Sequence, residues 1–559
     1  MTKNVLSLNS KQALNFFLKS EQYHNFELPE YFEFNEVLKY VQQIIKNKSF
    51  SSCLNDINPD DIENININIL LNKDGYYAIR PIILANPYLY YFLARELCNE
   101  SGWKSVKKCF KAFNVPHITS CALPIIPQKQ EAFHMSATIF NWWECMEQRS
   151  IELSLEYRYM FVTDISNCYG SINPQSIEWA LNCRNTKYDN NDNSQLAQNI
   201  QTYLRALQHG HNIGIPQGSS LFDFISEIVL GYSDLLLHEA LQGIKDNYKK
   251  RNKLFTDYEI IRYRDDYRVF CNDKNTLEII SFTLQSVLEK LNFRMNSSKT
   301  KISDSIVTDS IKPDKLFYIY NTPIFNKKGV DFDGIQKHLL YILMFSRNYP
   351  NSGQLFNMLS DLDKRIKDKI ESKEKKVEDV PIDIDNEPKN IFQKLPIYGK
   401  KSDKIYENIR VLSAIATQIA LENVKVSHYA LRIISRLVDS LTDMKEKKDI
   451  INKVYQKLCG RPNSDYEQIW LQNITYTQDK LCKKSPYTMP LCKLVMGDQA
   501  NTLWDNSWIR PSLHKDFPYE TIVNQKILQE ITPVITFREI RAYDEYKENL
   551  KSSDIEINI

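Results

Sequence analysis

Three acidic residues carry the chemistry open to this chain. Asp265 and Asp266 are adjacent in "EIIRYRDDYRVF", and Asp164 ends the apolar run "MFVTD". Taken singly, the pair reads as a solvated turn and Asp164 as a carboxylate exposed at a strand end. Taken together they call for a cation, because adjacent carboxylates repel unless something positive lies between them. Hard oxygen ligands suit Mg2+. Three converging carboxylates would hold two such ions roughly 4 Å apart. One ion would lower the pKa of an attacking hydroxyl; the other would neutralise charge on a leaving pyrophosphate. That is equipment for in-line phosphoryl transfer, in which positioning and electrostatics supply most of the rate.

The elements that must position these acids are legible around them. Apolar and polar residues alternate on both sides of Asp265-Asp266, so the stretch reads as a β-hairpin turning at the acid pair. Asp164 sits at the end of a strand. Glycine is scarce, 14 in 559 residues, yet Gly210, Gly214 and Gly218 recur at four-residue steps in "QHGHNIGIPQGSS". Such a cluster marks backbone that bends sharply or approaches a ligand closely. "SLFDFISEIVLGYSDLLLHEALQGI" and "TLEIISFTLQSVLEKLNF" read as amphipathic helices. His209 and His211 flank Gly210 but have no cysteine or acid at ligand spacing, so no metal site is assigned to them.

In order, "FVTDISNCYGSI", "GIPQGSSLFDFISEI" and "RYRDDYRVF" resemble palm motifs A, B and C of reverse transcriptases, over roughly residues 70–325. The resemblance implies an α+β fold: a right-hand fingers and palm core with a large α-helical C-terminal domain. It implies Asp164, Asp265 and Asp266 as the catalytic, metal-binding triad. Tyr169 matches the steric gate that favours dNTPs over NTPs. Asn167 and Cys168 match positions whose backbone amides touch the triphosphate. Gln217 matches a contact to the incoming nucleotide, with Gly218 letting the backbone lie close. "YYAIRPIIL" resembles the fingers motif and makes Arg80 a triphosphate clamp, for which a planar guanidinium is suited. "LEKLNFRMNSSKTKI" resembles motif D. It offers Lys299, with Lys301 as a rival, to protonate or neutralise the leaving pyrophosphate. "KLFYIYNTP" is a candidate primer-grip hairpin. Arg264 fills the slot inside the YxDD box where relatives usually carry alanine; there it would depress the pKa of the acids or contact primer phosphate.

Nucleic-acid contacts have a second source. Lys104, Lys107, Lys108 and Lys111 fall on one helical face of "WKSVKKCFKAFNVP", opposite Trp103, Val106, Phe110 and Phe113. Such a stripe tracks phosphates or is a solvated surface. "KDNYKKRNK" reads as a basic loop. Net charge is only +2, so any affinity for nucleic acid is local. The division expected is an N-terminal helical extension at 1–60, fingers at 61–157 and palm at 158–330. A helical thumb or C-terminal domain then spans 331–559, with a mobile loop about 371–402. Eleven scattered cysteines without a CxxC pair point to reduced thiols and a cytoplasmic protein without membrane spans.

The opening residues, the "DISNCYGSI" form of motif A and the helical tail resemble bacterial defence-associated reverse transcriptases of the abortive-infection type. That implies antiphage DNA synthesis with Mg2+ and dNTPs, on an associated non-coding RNA or without a template. It also implies assembly into oligomers through the helical domain, and in some relatives priming by a tyrosine, for which Tyr543 and Tyr546 are candidates. Two other functions fit the residues less well. An RNA-dependent RNA polymerase would want a small residue at Tyr169. A catalytically dead palm serving as an RNA- or protein-binding scaffold has no need of three intact acids.

Overall fold

The computed structural model describes residues 3–530 apart from 73–78, 127–133, 189–192, 322–333, 379–408, 442, 483–484, 499–502, 515–516 and 518. It is α+β. Strands β1 (Ile67–Asn72) and β2 (Ile79–Leu84) form a separate antiparallel hairpin. The central sheet contains β3 (Ile118–Ser120), β4 (Tyr159–Asp164), β5 (Tyr258–Tyr263), β6 (Asp266–Cys271) and β7 (Lys301–Ser303), in the order β3-β5-β6-β4-β7. β3 lies parallel to β5, and the other pairings are antiparallel. Residues expected in the fingers, 118–120, therefore form an edge of the palm sheet.

Alternation along each strand gives the sheet two unlike faces. On the back, Tyr258, Ile260, Tyr267, Val269 and Cys271 join the main core. The helix Ser220–Lys250 belongs to that core and is buried almost throughout Ser220–Leu235. Such a helix is buried on all sides over that stretch rather than amphipathic. On the front, Met160, Ile261 and Phe270 pack with Met146, Leu153 and Ile306 in a second, small cluster. Asp164 and Asp266 continue this front face beyond the cluster, the first buried and the second exposed. Arg268, also on the front, donates to the carbonyls of Met146 and Ser310 and to Ser150 Oγ, fastening the covering helices to the sheet.

After β7 the described residues are helical, from Ile306–Ser310 to Gln525–Glu530. "KLFYIYN" is no hairpin: Pro313–Asn321 is a helix, begun by Pro313 at a position suited to proline. "KDNYKK" forms the end of the helix Ser220–Lys250, where lysines complement the helix dipole. Of the loop expected at 371–402, residues 371–378 continue the helix Gln354–Glu378; the remainder lies outside the described residues. The helical region reaches back across the chain. His428 Nε2 lies 2.7 Å from Glu27 Oε2, and Leu70 N donates to Asp465 Oδ2 at 3.3 Å.

Residues 503–530 depart from the expected C-terminal domain. Arg510 N donates to Cys53 O, Asn55 N to Trp508 O, Glu33 N to Ile522 O and Asn524 N to Tyr31 O. Trp508, fully buried, lies beside Phe50 with ring centres 5.8 Å apart. These residues complete the core of the N-terminal region. Among the described residues no cysteine is in a disulfide, and no helix is long and apolar enough to cross a membrane.

Candidate active site

The β5–β6 hairpin turns one residue earlier than the acid pair suggests. Tyr263 faces Asp266 across the strands, and Arg264 and Asp265 make the connection. Arg264 takes φ of 52°, a region that costs a non-glycine residue about 1–2 kcal/mol. β4 lies on the other side of β6, with Asp164 directly opposite Asp266. Directly opposed residues share a face, with Cα atoms about 4.5–5.5 Å apart. Ile165 N donates to Asp265 O at 3.1 Å, tying the end of β4 to the turn. Asp164 and the Asp265-Asp266 pair, distant in the sequence, thus meet at one corner of the sheet.

Their electrostatics are unfavourable as they stand. Burial raises the pKa of Asp265, and the Asp164 charge adds to it. Asp266 is exposed to solvent. Loss of solvation first, then Asp265 and Asp164, push its pKa up to about 6, against the pull of Lys299 and Lys312. Asp164 is 5% exposed. Its Oδ2 is ion-paired with Lys299 Nζ, and its Oδ1 is buried without a hydrogen-bond partner. Among the described residues no three His, Cys, Asp or Glu side chains form a ready metal cage. The backbone brings the acids together; the Lys299 ammonium holds one Asp164 oxygen where a cation would go. An orphaned buried carboxylate oxygen beside two acids of raised pKa is a donor set suited to a hard divalent cation.

The motif D candidates separate cleanly. Asn296 N donates to Asp164 O at 2.9 Å, and the turn this fixes carries Lys299 to the acids. Lys301 instead meets Asp309 at 3.0 Å. Lys312 is a cation that sequence reasoning missed. It lies close enough to lower the pKa of Asp266, with its Nζ 4.1 Å from the centre of the Trp142 ring.

Motifs A and B meet behind the acids. Asn167, exposed and left-handed at φ 48°, precedes the one-turn helix Cys168–Ser171. Cys168 is buried. Tyr169 Oη donates to Asp223 Oδ1 at 2.6 Å. Gly210, Gly214 and Gly218 all have positive φ. At Gly218 a Cβ would lie 2.6 Å from Ile83 O and 2.8 Å from Ile82 Cγ2. Glycine there lets β2 dock on motif B, and Ile83 N donates to Gln217 O at 2.9 Å beside it. Gln217 itself is half-buried. His209 Nδ1 contacts Ile62 O at 3.0 Å.

Arg264, a third exposed, points its Nη2 at Asp223 Oδ2, 2.7 Å away. Its charge lowers the pKa of Asp265, but burial and the Asp164 charge raise it, and the net shift is upward. Arg262, one step back in β5, is fully buried between Glu227 and Asp234 at 2.6 and 2.7 Å. Burial opposes its charge, but the two carboxylates outweigh that, and its pKa stands well above the ordinary value. The signal for both pairs was in the sequence. Asp223, Glu227 and Asp234 fall at helical spacing on an otherwise apolar helix, facing two arginines of one hairpin.

Arg80 is exposed on β2, opposite Leu71, and its charge reaches Lys425 of the helical region. Lys104, Lys107, Lys108 and Lys111 are exposed on the helix Glu100–Phe113, with Trp103, Val106, Phe110 and Phe113 buried beneath. Lys107 Nζ donates to Leu8 O at 3.1 Å, as does Trp103 Nε1 at 3.0 Å. Tyr543 and Tyr546 lie outside the described residues.

Residues 103–336 match the family described as reverse transcriptase (RNA-dependent DNA polymerase). The chain carries a reverse transcriptase domain. By that domain it is an RNA-directed DNA polymerase, a nucleotidyltransferase. No curated protein matches it. Among solved structures, telomerase from Candida albicans, in complex with a TWJ fragment of telomeric RNA, is similar at 12% identity. That overlap covers 78% of this chain and 67% of that one with a TM-score of 0.27. Apo telomerase from Candida Tropicalis is similar at 13% identity, covering 76% and 74%, with a TM-score of 0.28. So loose a superposition says nothing about this chain's substrate.

Proposed function

We propose that this chain extends DNA with dNTPs by in-line phosphoryl transfer at Asp164, Asp265 and Asp266, in antiphage defence, on an associated RNA or without a template. The observation that carries the polymerase reading is the pairing of Asp164 with Asp266 across β4 and β6, with Asp265 in the adjoining turn. Divalent ions, typically Mg2+ in such domains, would be held by these three carboxylates and would supply charge neutralisation and an activated hydroxyl. For one of them to bind, Lys299 must release Asp164. Freed, its ammonium is placed to give a proton or a positive charge to departing pyrophosphate. Arg80 binds the triphosphate from the fingers side, the turn at Asn167 and Cys168 offers backbone amides, and Gln217 contacts the incoming nucleotide. Tyr169 excludes a ribose 2′-OH.

The defence role rests on the resemblance of the opening residues, motif A and the helical tail to abortive-infection enzymes. A dedicated non-coding RNA and self-assembly through the helical region are the partners that resemblance suggests. Asp265→Asn tests both levels. Expected is loss of nucleotide incorporation by the purified protein together with loss of phage protection. Protection that survives without incorporation gives the function to a binding scaffold instead. Nucleic acid copurified from infected cells, digested with RNase or DNase and sequenced, identifies the template and any DNA attached to protein.

A further inference from the structure

The carboxylate of Asp223 gathers three parts of the chain at the nucleotide site. Oδ1 accepts from Tyr169 Oη at 2.6 Å; Oδ2 accepts from Arg264 Nη2 at 2.7 Å and from Asn25 Nδ2 at 2.9 Å. Asn25 is held in turn, its backbone N donating to Gly218 O at 2.9 Å. Asp223 sits in the first turn of the helix Ser220–Lys250 and is 8% exposed. Its charge is neutralised by the one arginine of the YxDD box, which is what lets a carboxylate lie buried behind an aromatic ring.

We infer that Asp223 is a positioning residue for sugar selection. It fixes the Tyr169 ring by a hydrogen bond that phenylalanine cannot make, and Arg264 and Asn25 fix Asp223. This deepens, and rests on, the assignment of Tyr169 as the gate. A gate works by occupying the space of a 2′-OH, so its selectivity depends on how stiffly the ring is held. A ring anchored only by packing can tip aside for a ribonucleotide. One anchored at Oη to a charged, doubly supported carboxylate cannot do so without leaving Asp223 Oδ1 short of its donor. The arrangement also gives the arginine of the YxDD slot, held in a left-handed turn, a role behind the acids: its guanidinium supports the carboxylate that holds the gate.

The test compares dTTP with UTP on poly(rA) primed by oligo(dT), and dNTPs with NTPs without a template, using the full chain. Tyr169→Phe removes one oxygen and leaves the ring, so it is expected to fold as the wild type does. It should lower the ratio of kcat/KM for dTTP over UTP by about tenfold, mainly through a lower KM for UTP. Asp223→Ala should do the same, and the double variant should fall no further, the mark of two residues acting through one contact. Asn25→Ala should shift the ratio in the same direction by a smaller factor. Tyr169→Ala separates the two ideas. If it relaxes selection while Tyr169→Phe does not, the gate stands and the role of Asp223 is overturned. A folded Asp223→Ala with wild-type selection overturns it too. If Tyr169→Ala itself changes nothing, the gate assignment falls and this inference with it.

Discussion

On the back of the β5–β6 hairpin, Arg262 is enclosed by Glu227 and Asp234, and opposite charges meet with hydrogen bonds to spare. On the front, through the thickness of the sheet, three carboxylates crowd one corner. The cations that reach them are Lys299, ion-paired with Asp164, Lys312, felt at Asp266, and Arg264, felt at Asp265. Both faces carry buried or half-buried charge. The back pairs its charges within the chain, even though burial raises the Asp234 carboxyl to about 6; the front leaves its acids facing one another. Unbalanced charge at a place the fold could have balanced is the mark of a site built for something absent from the chain, and the contrast can be broken or sharpened by neutralising one charge on each side.

The largest effect belongs to the front. Asp265→Asn should reduce incorporation on the order of a thousandfold or more. In the metal-free protein it should also raise the melting point, by about 1 kcal/mol of stability, because a repulsion has been removed. A melting point that falls instead would mean the front acids are structural. The back should give the opposite result. Arg262→Met leaves Glu227 and Asp234 buried without a cation, and should cost about 3–5 kcal/mol, read as a drop in melting temperature or urea midpoint. An Arg262→Met protein of wild-type stability would erase the distinction between the two faces.

A pH titration sharpens the same contrast. The folded pKa of Asp266 is raised to about 6, above the unfolded carboxylate value, and that of Asp265 is raised too. In that case the folded state holds the extra protons. The sign follows from linkage: stability of the metal-free protein falls as pH rises from about 4 to about 6, and is flat above. Melting temperature measured with EDTA should therefore be higher at pH 5 than at pH 7 by a margin that Asp266→Asn removes. Added Mg2+ should reverse the trend by favouring the charged form. A trend unaltered in Asp266→Asn would assign the titration elsewhere.

How much of this could be read without coordinates depends on how local each cause is. The acids, the gate and the motif D lysine came from short patterns, and the structure brings Asp164, Asp265, Asp266 and Lys299 together. The hairpin was legible from alternation, but its turn was misplaced by one residue. The reason is that Arg264 accepts a left-handed conformation to reach Asp223, a partner 41 positions away on another helix. The crowding of Gly218 by β2 was not legible, because no local pattern announces the approach of that strand. "KLFYIYN" alternates no better as a strand than as a helix, and Pro313 decided it. Residues 503–530 looked like the end of a helical domain because nothing in them reveals that Cys53, Tyr31 and Glu33 wait at the other end of the chain.

The smallest effect concerns a region the acids do not touch. The lysines of the helix Glu100–Phe113 stand clear of the apolar face that anchors it, so removing them should leave the fold alone. Lys107 is the least suitable probe, since its Nζ already serves Leu8 O. Lys104 and Lys111 are exposed at opposite ends of the stripe. If the stripe follows a phosphate backbone, Lys104→Gln combined with Lys111→Gln should reduce the slope of log affinity against log salt by up to about 2, because each lysine seated on a phosphate displaces about one counterion. Binding measured by fluorescence anisotropy on a primed RNA, from low to moderate salt, gives that slope directly. An unchanged slope with unchanged melting would return the stripe to plain solvated surface. The active corner of the sheet would then depend on Arg80, Lys312 and the helical region for its hold on nucleic acid.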